Sequence, residues 1–321
     1  MIKILFAGSP EPARDTLRIL FEKQSECGFK IAGVLTNPPA AKGRHKNPVP
    51  TPVAAFASEK NIPVFTPEHL DAACRAAVHP LGADVLVSFA YGHIFGPKFL
   101  AMFPLGTMNL HPSLLPKYRG CSPVPAVILS REARTAVTIQ KIALGIDEGD
   151  ILAQTIVELD GTETAGSLLD CSARIGAELI CSLLQKLSRG ETLEARAQEG
   201  EPSYTGTISK EDGKIDFSED GLKIEAKIRA YFPEPGCWCL ENGLWLRILS
   251  AFFISDDDSR ARPYNHEEAG KILAFVKSEG IYIKVRGGIL CATVLQRQGK
   301  KEMTYKDFMN GARDFIGLRL E

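Results

Sequence analysis

The chain has 321 residues, 45% of them hydrophobic and 24% charged, and a formal net charge of −1. That length accommodates two domains with a well-buried core, and the balance of apolar and charged residues is that of a soluble globular protein. No apolar run approaches membrane-spanning length, and a near-neutral total leaves nucleic-acid binding to local clustering of charge.

Residues 2–7 read as a buried strand broken at once by Gly8-Ser9-Pro10. This run is too short for the core of a secretion signal, so a cytoplasmic location is expected. A helix over 13–23, with Leu17, Leu20 and Phe21 as its apolar residues, completes a βα unit of the kind that opens doubly wound sheets. Its turn lacks G-x-G-x-x-G, so the dinucleotide fingerprint fails at the first place to look. After a second strand over 31–36 comes a long segment, 37–50, whose prolines and glycine argue against helix and strand. Its chargeable residues, Lys42, Arg44, His45 and Lys46, are all basic, which suits an anionic partner or simply a solvated loop.

The βα alternation continues with a helix over 51–60, strands over 63–66 and 83–89, the turn Ala90-Tyr91-Gly92 and a helix near 97–102. Strands over 135–141 and 151–159 flank the turn Gly145-Ile146-Asp147-Glu148-Gly149-Asp150. From Thr164 the apolar period becomes helical, with Leu168, Ile175, Leu179, Leu183 and Leu187 on one face and Gly190 as the stop. These signals place a first domain at 1–189, a polar linker at 190–207 and a second domain at 208–321. In the latter, a helix over 218–231 precedes five short strand-like runs, the pattern of a small β-barrel. The eight cysteines are scattered, and only Cys237-Trp238-Cys239 forms a close pair. With no second pair to complete a ligand set, reduced thiols and no metal are expected.

The stretch Thr107–Gly120 concentrates the chemistry. Met108 and Leu110 alternate with Asn109 and His111, and Pro112 ends the ladder because it has no N–H to donate. An amide and an imidazole at a strand end fit an ordinary hydrogen-bonded terminus, but they also lie where open α/β sheets bind ligands. Asp147 is the candidate acid partner. A carboxylate can hold imidazole in one tautomer and favour its protonated form, and imidazolium and amide N–H groups can both stabilise a developing oxyanion. Asn109, His111 and Asp147 together suit attack on a carbonyl by a nucleophile that arrives with the substrate. G-x-S-x-G, P-loop and H-E-x-x-H motifs are all missing.

Asn109-Leu110-His111-Pro112-Ser113-Leu114-Leu115-Pro116 with Gly120, followed by Asp147-Glu148-Gly149-Asp150-Ile151, resembles the signature of formyltransferases that use 10-formyltetrahydrofolate. Phe6–Glu11, Lys42–Lys46 with Thr51-Pro52-Val53, Ile208–Phe217, Ala230–Gly236 and Gly299–Gly311 extend the likeness, in order, to the methionyl-tRNA formyltransferase branch. The resemblance implies a Rossmann-like α/β domain with a mostly parallel sheet, joined to an OB-like β-barrel that binds tRNA. It implies a monomer that transfers a formyl group from 10-formyltetrahydrofolate, its co-substrate, to the methionine α-amine of initiator methionyl-tRNA. By position, Asn109, His111 and Asp147 are the catalytic trio. Ser113, Leu114, Leu115 and Pro116 border the folate site, with a candidate cis bond at Leu115–Pro116. Phe89, Tyr91, Gly92, Glu148, Gly149 and Asp150 line the pterin pocket, and Lys42, Arg44, Lys46, Lys210, Lys300 and Lys301 meet the tRNA.

Three rivals share parts of this pattern. A formyltransferase acting on a sugar-nucleotide amine or a purine precursor would keep the trio without needing the basic loop or Lys300-Lys301. A nicotinamide oxidoreductase would need the missing glycine-rich turn. An RNA-binding module would leave the trio idle.

Overall fold

A computed structural model describes residues 1–41, 47–312 and 314–321 of the protein. In chain order the first half contains β1 (Ile2–Ala7), α1 (Glu11–Lys23), β2 (Phe29–Leu35), β3 (Ala40–Ala41), β4 (Pro48–Val49), α2 (Pro52–Glu59), β5 (Val64–Phe65), α3 (Ala72–Val78), β6 (Val85–Ser88), α4 (Pro97–Leu100), β7 (Thr107–His111), β8 (Arg119–Gly120), α5 (Pro123–Leu129), β9 (Arg134–Gln140), β10 (Ile151–Glu158), α6 (Ala165–Ser188) and β11 (Tyr204–Thr205). The second half contains α7 (Gly221–Ala230), β12 (Cys237–Glu241), β13 (Leu244–Ser255), β14 (Ile272–Val276), β15 (Gly280–Val285), β16 (Gly288–Arg297), β17 (Met303–Thr304) and α8 (Tyr305–Asn310). The chain folds into two compact units. Met1–Pro123, Arg134–Glu158 and Leu168–Gly206 form the first, and Val124–Ala133, Leu159–Ser167 and Thr207–Glu321 the second.

The first unit is built on a seven-stranded sheet in the order β10-β9-β7-β6-β1-β2-β5. β5, β2, β1, β6 and β7 run parallel, while β9 pairs antiparallel with both β7 and β10. The period-2 alternation of β1 divides its side chains between two cores. Ile4 and Phe6 pack with Leu17 and Leu20 of α1 and Ala173, Ala177 and Ile180 of α6. Leu5 and Ala7 pack with Cys74 and Val78 of α3 and Phe99 of α4. Helices thus cover both faces, as a near-continuous apolar parallel strand requires. The strand order reverses at β1, between β2 and β6, and there a Cβ on Gly8 would lie 2.6 Å from the Phe89 carbonyl oxygen. Glycine at position 8 lets these two strand ends approach at the place where such sheets open a crevice.

Three features depart from the sequence reading. The basic segment is framed by a two-residue antiparallel ladder, Ala40 with Val49 and Ala41 with Pro48, where extended structure is not expected. Its chargeable residues, including Lys42, Arg44 and Lys46, lie outside the described residues. Helices α3 and α5 are also unexpected: α3 is a short Ala-rich run that Asp71 caps through the Cys74 N–H at 2.9 Å, and α5 is a single apolar run opened by Pro123. Residues 196–205, inside the segment read as a linker, bond back onto the first unit. Arg196 and Ile151 exchange backbone hydrogen bonds of 2.8 and 3.0 Å, and β11 pairs parallel with β8.

The second unit is an antiparallel sheet in the order β12-β13-β16-β15-β14, with β17 beside β16. The C-terminal tail bridges its two ends. Ile272 and Gly270 bond to Leu318 and Leu320, and Leu240 exchanges bonds with Glu321. The tail thus bonds to the chain at both ends of the sheet order, beside β14 and on β12, and occupies backbone groups that an open edge leaves free.

Helix α6 lies against the strand that carries the candidate site. A Cβ on Gly176 would overlap the Leu110 side chain, which is buried between Asn109 and His111 in sequence. Gly176→Val is expected to lower stability by about 2–3 kcal/mol through overpacking, read from the denaturant midpoint, and to lower turnover with it.

Candidate functional site

β7 ends at the carboxyl edge of the parallel strands. Met108 and Leu110 enter the core below, which leaves Asn109 and His111 on the opposite side. The chain after Pro112 is tied into a compact turn. Ser113 N–H donates to the His111 carbonyl at 3.0 Å, Ser113 Oγ donates to the Lys117 carbonyl at 2.7 Å, and Thr138 Oγ1 donates to the Ser113 carbonyl at 2.7 Å. The Leu115–Pro116 bond within it is cis. At Gly120 φ is +102°, and the Thr205 carbonyl occupies the space a Cβ would need, so only glycine fits there.

The loop between β9 and β10 folds over the same edge. Lys141 N–H donates to the Asp150 carbonyl at 2.9 Å, and Gly149 presses so closely on the Lys141 carbonyl that a Cβ would collide with it. Asp147 takes a left-handed backbone conformation, φ +54°. Its Oδ2 accepts the Gly120 N–H at 2.8 Å and lies 3.5 Å from His111 Nδ1. Its Oδ1 accepts Gln140 Nε2 at 2.7 Å and Asn109 Nδ2 at 3.4 Å. Of the three residues singled out from sequence, Asn109 and His111 therefore converge on the carboxylate of the third, Asp147.

His111 is 4% exposed, and its Nε2 lies 2.9 Å from the Tyr118 carbonyl. A carbonyl only accepts, so Nε2 carries the hydrogen and donates it. Burial pushes the imidazole below its ordinary value of 6.5, and the opposing pull of the Asp147 charge and the Tyr118 carbonyl is smaller. The expectation that Asp147 keeps His111 protonated is thus corrected. The ring is neutral at pH 7, with the bare Nδ1 turned toward Asp147.

Two glutamines that the sequence reading passes over complete the cluster. Gln140, which falls within the strand expected over 135–141, is 1% exposed and holds the carboxylate. Gln198, in the segment read as linker, donates from Nε2 to the carbonyls of Asp147 and Gly149, each at 2.8 Å, and to Gln140 Oε1 at 3.3 Å. The signal in the sequence is an isolated amide in a polar stretch, which marks nothing until the chain returns to the sheet edge.

The residues read as folate-binding fall into two groups. Phe89, Ser113 and Leu115 are buried, and the backbone N–H and carbonyl of Ser113 are both taken up within the turn. Tyr91 is also buried, stacked against Phe95 with ring centroids 5.6 Å apart, and Gly92 has φ +85° with open space beside it. Leu114 is half-buried, Pro116 and Gly149 are buried, and Glu148 and Asp150 are exposed. Glu148 Oε1 accepts from Tyr204 Oη at 2.9 Å and Arg119 Nη1 at 3.3 Å. Ile94, Leu144 and Ile146 expose large apolar side chains on the two loops concerned.

In the second unit, Trp238 and Trp245 stack with centroids 4.0 Å apart and planes 9° from parallel. The Trp238 indole N–H donates to the Lys210 carbonyl at 2.9 Å. Trp245 lines a cavity of about 450 Å³ together with Arg247, Arg297 and Lys300. Lys210 thus meets Trp238 through its backbone carbonyl, Lys300 lines the cavity beside Trp245, and Lys301, next along, is exposed.

The formyl transferase family model matches residues 2–184, and that of the formyl transferase C-terminal domain matches residues 207–313. The methionyl-tRNA formyltransferase of Treponema pallidum (strain Nichols) is 40% identical over 328 residues, covering 100% of this chain and 99% of its own. The chain belongs to the methionyl-tRNA formyltransferase family. Among solved structures, a methionyl-tRNA formyltransferase from Clostridium thermocellum aligns with a TM-score of 0.57 at 18% identity, over 80% of this chain and 96% of that one. An N-formyltransferase from Helicobacter canadensis, solved with folinic acid and dTDP-3-aminofucose, aligns at 0.62 and 22% identity, over 92% and 100%. These likenesses share the α/β fold with its separate antiparallel β domain, whereas the full-length identity places the chain in its branch.

The depressed His111 pKa has a consequence for stability. Its contribution is complete above the unfolded-chain value near 6.5 and is lost as pH falls toward the folded value, because only the unfolded chain takes up the proton in that window. Urea midpoints should therefore fall between pH 7 and 5.5, by at most about 1.4 kcal/mol per pH unit from this group. His111→Asn should flatten that slope, and an unchanged slope would mean that His111 is not buried as a neutral ring.

Proposed function

We propose that the protein transfers the formyl group of 10-formyltetrahydrofolate to the α-amino group of methionine on initiator methionyl-tRNA, acting in the cytoplasm as a monomer. What carries the reading is the convergence of Asn109 and His111 on a hydrogen-bonded Asp147, in a chain that aligns from end to end with methionyl-tRNA formyltransferases. No described helix is long and apolar enough to cross a membrane.

The folate co-substrate supplies the formyl carbon. The loops after β6 and β9 suit its aromatic ring system, because each offers exposed apolar side chains, Ile94 on one and Leu144 and Ile146 on the other. A positive φ at Ala90, Gly92 and Asp147 also gives both loops sharp turns that can present backbone groups to a ligand. Asn109 Nδ2 carries two hydrogens. One serves Asp147 Oδ1, and the other is available to the carbonyl oxygen as the amine attacks and negative charge builds there. His111 and Asp147 act as a pair. With Nε2–H committed to Tyr118, the bare Nδ1 and the carboxylate Oδ2 face one another 3.5 Å apart, and a proton released by the amine can be held between them and returned to N10 of the folate as the tetrahedral intermediate collapses, the bond from the formyl carbon to N10 breaks and tetrahydrofolate leaves. His111 thus works as a proton acceptor with Asp147 and not as an imidazolium oxyanion donor. The tRNA meets the second unit, where Lys210, Lys300 and Lys301 contribute positive charge. The loop residues Lys42, Arg44 and Lys46 are assigned to the same partner on sequence grounds.

The test is formyl transfer from 10-formyltetrahydrofolate to charged initiator tRNA, run beside an amino-sugar nucleotide. Product on the tRNA alone is expected, and product on the sugar alone would overturn the reading. Asn109→Ala should lower kcat on the order of 10²–10³-fold with an unchanged melting temperature. Near-normal turnover would remove Asn109 from the mechanism. Lys300→Ala with Lys301→Ala should weaken tRNA binding and reduce the slope of log Kd against log salt by about 1 for each phosphate that is no longer neutralised, while folate binding stays the same.

A further inference from the structure

The amide of Gln198 has its orientation dictated from both ends. Its Oε1 accepts Nε and Nη2 of Arg119 at 3.1 and 2.8 Å, and guanidinium groups only donate. Its Nε2 faces three acceptors, the carbonyls of Asp147 and Gly149 and the Oε1 of Gln140. Turning the amide over would set oxygen against three oxygens and nitrogen against guanidinium. Gln140 is fixed in consequence, because accepting from Gln198 obliges its own Nε2 to face Asp147 Oδ1 at 2.7 Å. Arg119, the far anchor, is held by Tyr204 Oη at 2.8 Å and by Glu148 at 3.3 Å. The segment that supplies Gln198 is itself fastened by the Arg196–Ile151 bonds before it and the β11–β8 pairing after it.

We infer that Gln198 is a positioning residue for Asp147, a clamp from the segment between the two family domains that holds the loop carbonyls and, through Gln140, aims a donor at the carboxylate. This rests on the role given to Asp147 above. Two things depend on the clamp. A left-handed backbone at a non-glycine residue costs about 1 kcal/mol and persists only where its surroundings over-determine it. A carboxylate that loses a hydrogen bond to its ionised form protonates more easily. Without Gln198, the loop is free to relax from φ +54°, and Gln140 is free to turn its oxygen toward Asp147.

Gln198→Ala and Gln198→Glu test this together in the full-length protein. Glutamate keeps a charged partner for Arg119, so the segment stays fastened, but it sets a carboxylate against the loop carbonyls. Both variants should lose kcat on the order of 10- to 100-fold, with KM for folate and tRNA within about threefold of wild type. In both, the Gly120 amide that donates to Asp147 should exchange faster with solvent, a readout that needs no turnover. A merely structural bond between Arg119 and Gln198 predicts that Glu behaves as wild type. Wild-type kcat and unaltered exchange of the Gly120 amide in Gln198→Glu would overturn the proposal, whatever the stability of the alanine variant. Asp147→Asn separates the two levels of inference. Near-normal turnover in that variant would remove Asp147's role, whereas loss of turnover there with unperturbed Gln198 variants would sink the clamp alone.

Discussion

Asp147 is a charged side chain on a loop, and a loop carboxylate would ordinarily turn to water. Here it is drawn inward by donors from separate parts of the first unit: the Gly120 N–H, the Gln140 amide and, at longer range, the Asn109 amide. Hydrogen bonds to an ionised group are worth about 1.5–3 kcal/mol each. Two good ones outweigh the ~1 kcal/mol cost of the left-handed backbone that delivers the side chain. Each donor in turn needs its own geometry. Gly120 must be glycine because Thr205 lies where a Cβ would be, and Gln140 must point its nitrogen rather than its oxygen. The end of β7, the turn after it and the returning segment at 196–205 are all organised by the requirement to hold one carboxylate at the sheet edge.

The same burial sets the chemistry of His111. A carboxylate 3.5 Å from an imidazole would in water favour the charged ring, and the sequence alone invites that reading. At 4% exposure the loss of hydration is the larger effect, and the ring stays neutral. The carboxylate's own hydrogen bonds work in the same direction, because the Gly120 N–H already occupies the oxygen nearest the ring. What results is a neutral base beside an anion, two acceptors with space for one proton between them.

The features legible in the sequence are those that local pattern controls. β1, β2, β5, β6 and β7, the long α6 with its stop at Gly190, and the strand-rich second unit all follow from apolar period and glycine or proline punctuation. Asn109, His111 and Asp147 stand out because an amide and an imidazole at a strand end are costly unless paired, and a turn between two strands supplies a carboxylate. What escapes depends on return of the chain through space. α3 is a single Ala-rich run with no amphipathic stripe to announce it, and α5 is too uniformly apolar to show one. The C-terminal tail has no strand-like alternation, and its course is set by bonding to β12 and beside β14. Gln198 looks like linker because nothing nearby in sequence needs it, and its partners are dozens of residues away. The protonation of His111 escapes for the same reason: charge partners can be guessed from sequence, but the depth of burial cannot.

The site's modest basicity fits an amine acceptor. An α-amino group ordinarily titrates near pH ~8, so at neutral pH a useful fraction is already free to attack a carbonyl without a strong base to deprotonate it first. The proton has to leave once the carbon–nitrogen bond has formed, when the nitrogen carries positive charge and is far more acidic. A carboxylate paired with a neutral, desolvated imidazole is enough for that step, and a stronger base would hold the proton and slow its release. The oxyanion needs a donor that is fixed before the reaction starts, and Asn109 has one hydrogen already tethered to Asp147. The tether that orients the oxyanion donor and the group that receives the proton are therefore one carboxylate. Disturbing the loop that holds Asp147 should impair both functions at once, even when no group that touches substrate has been altered.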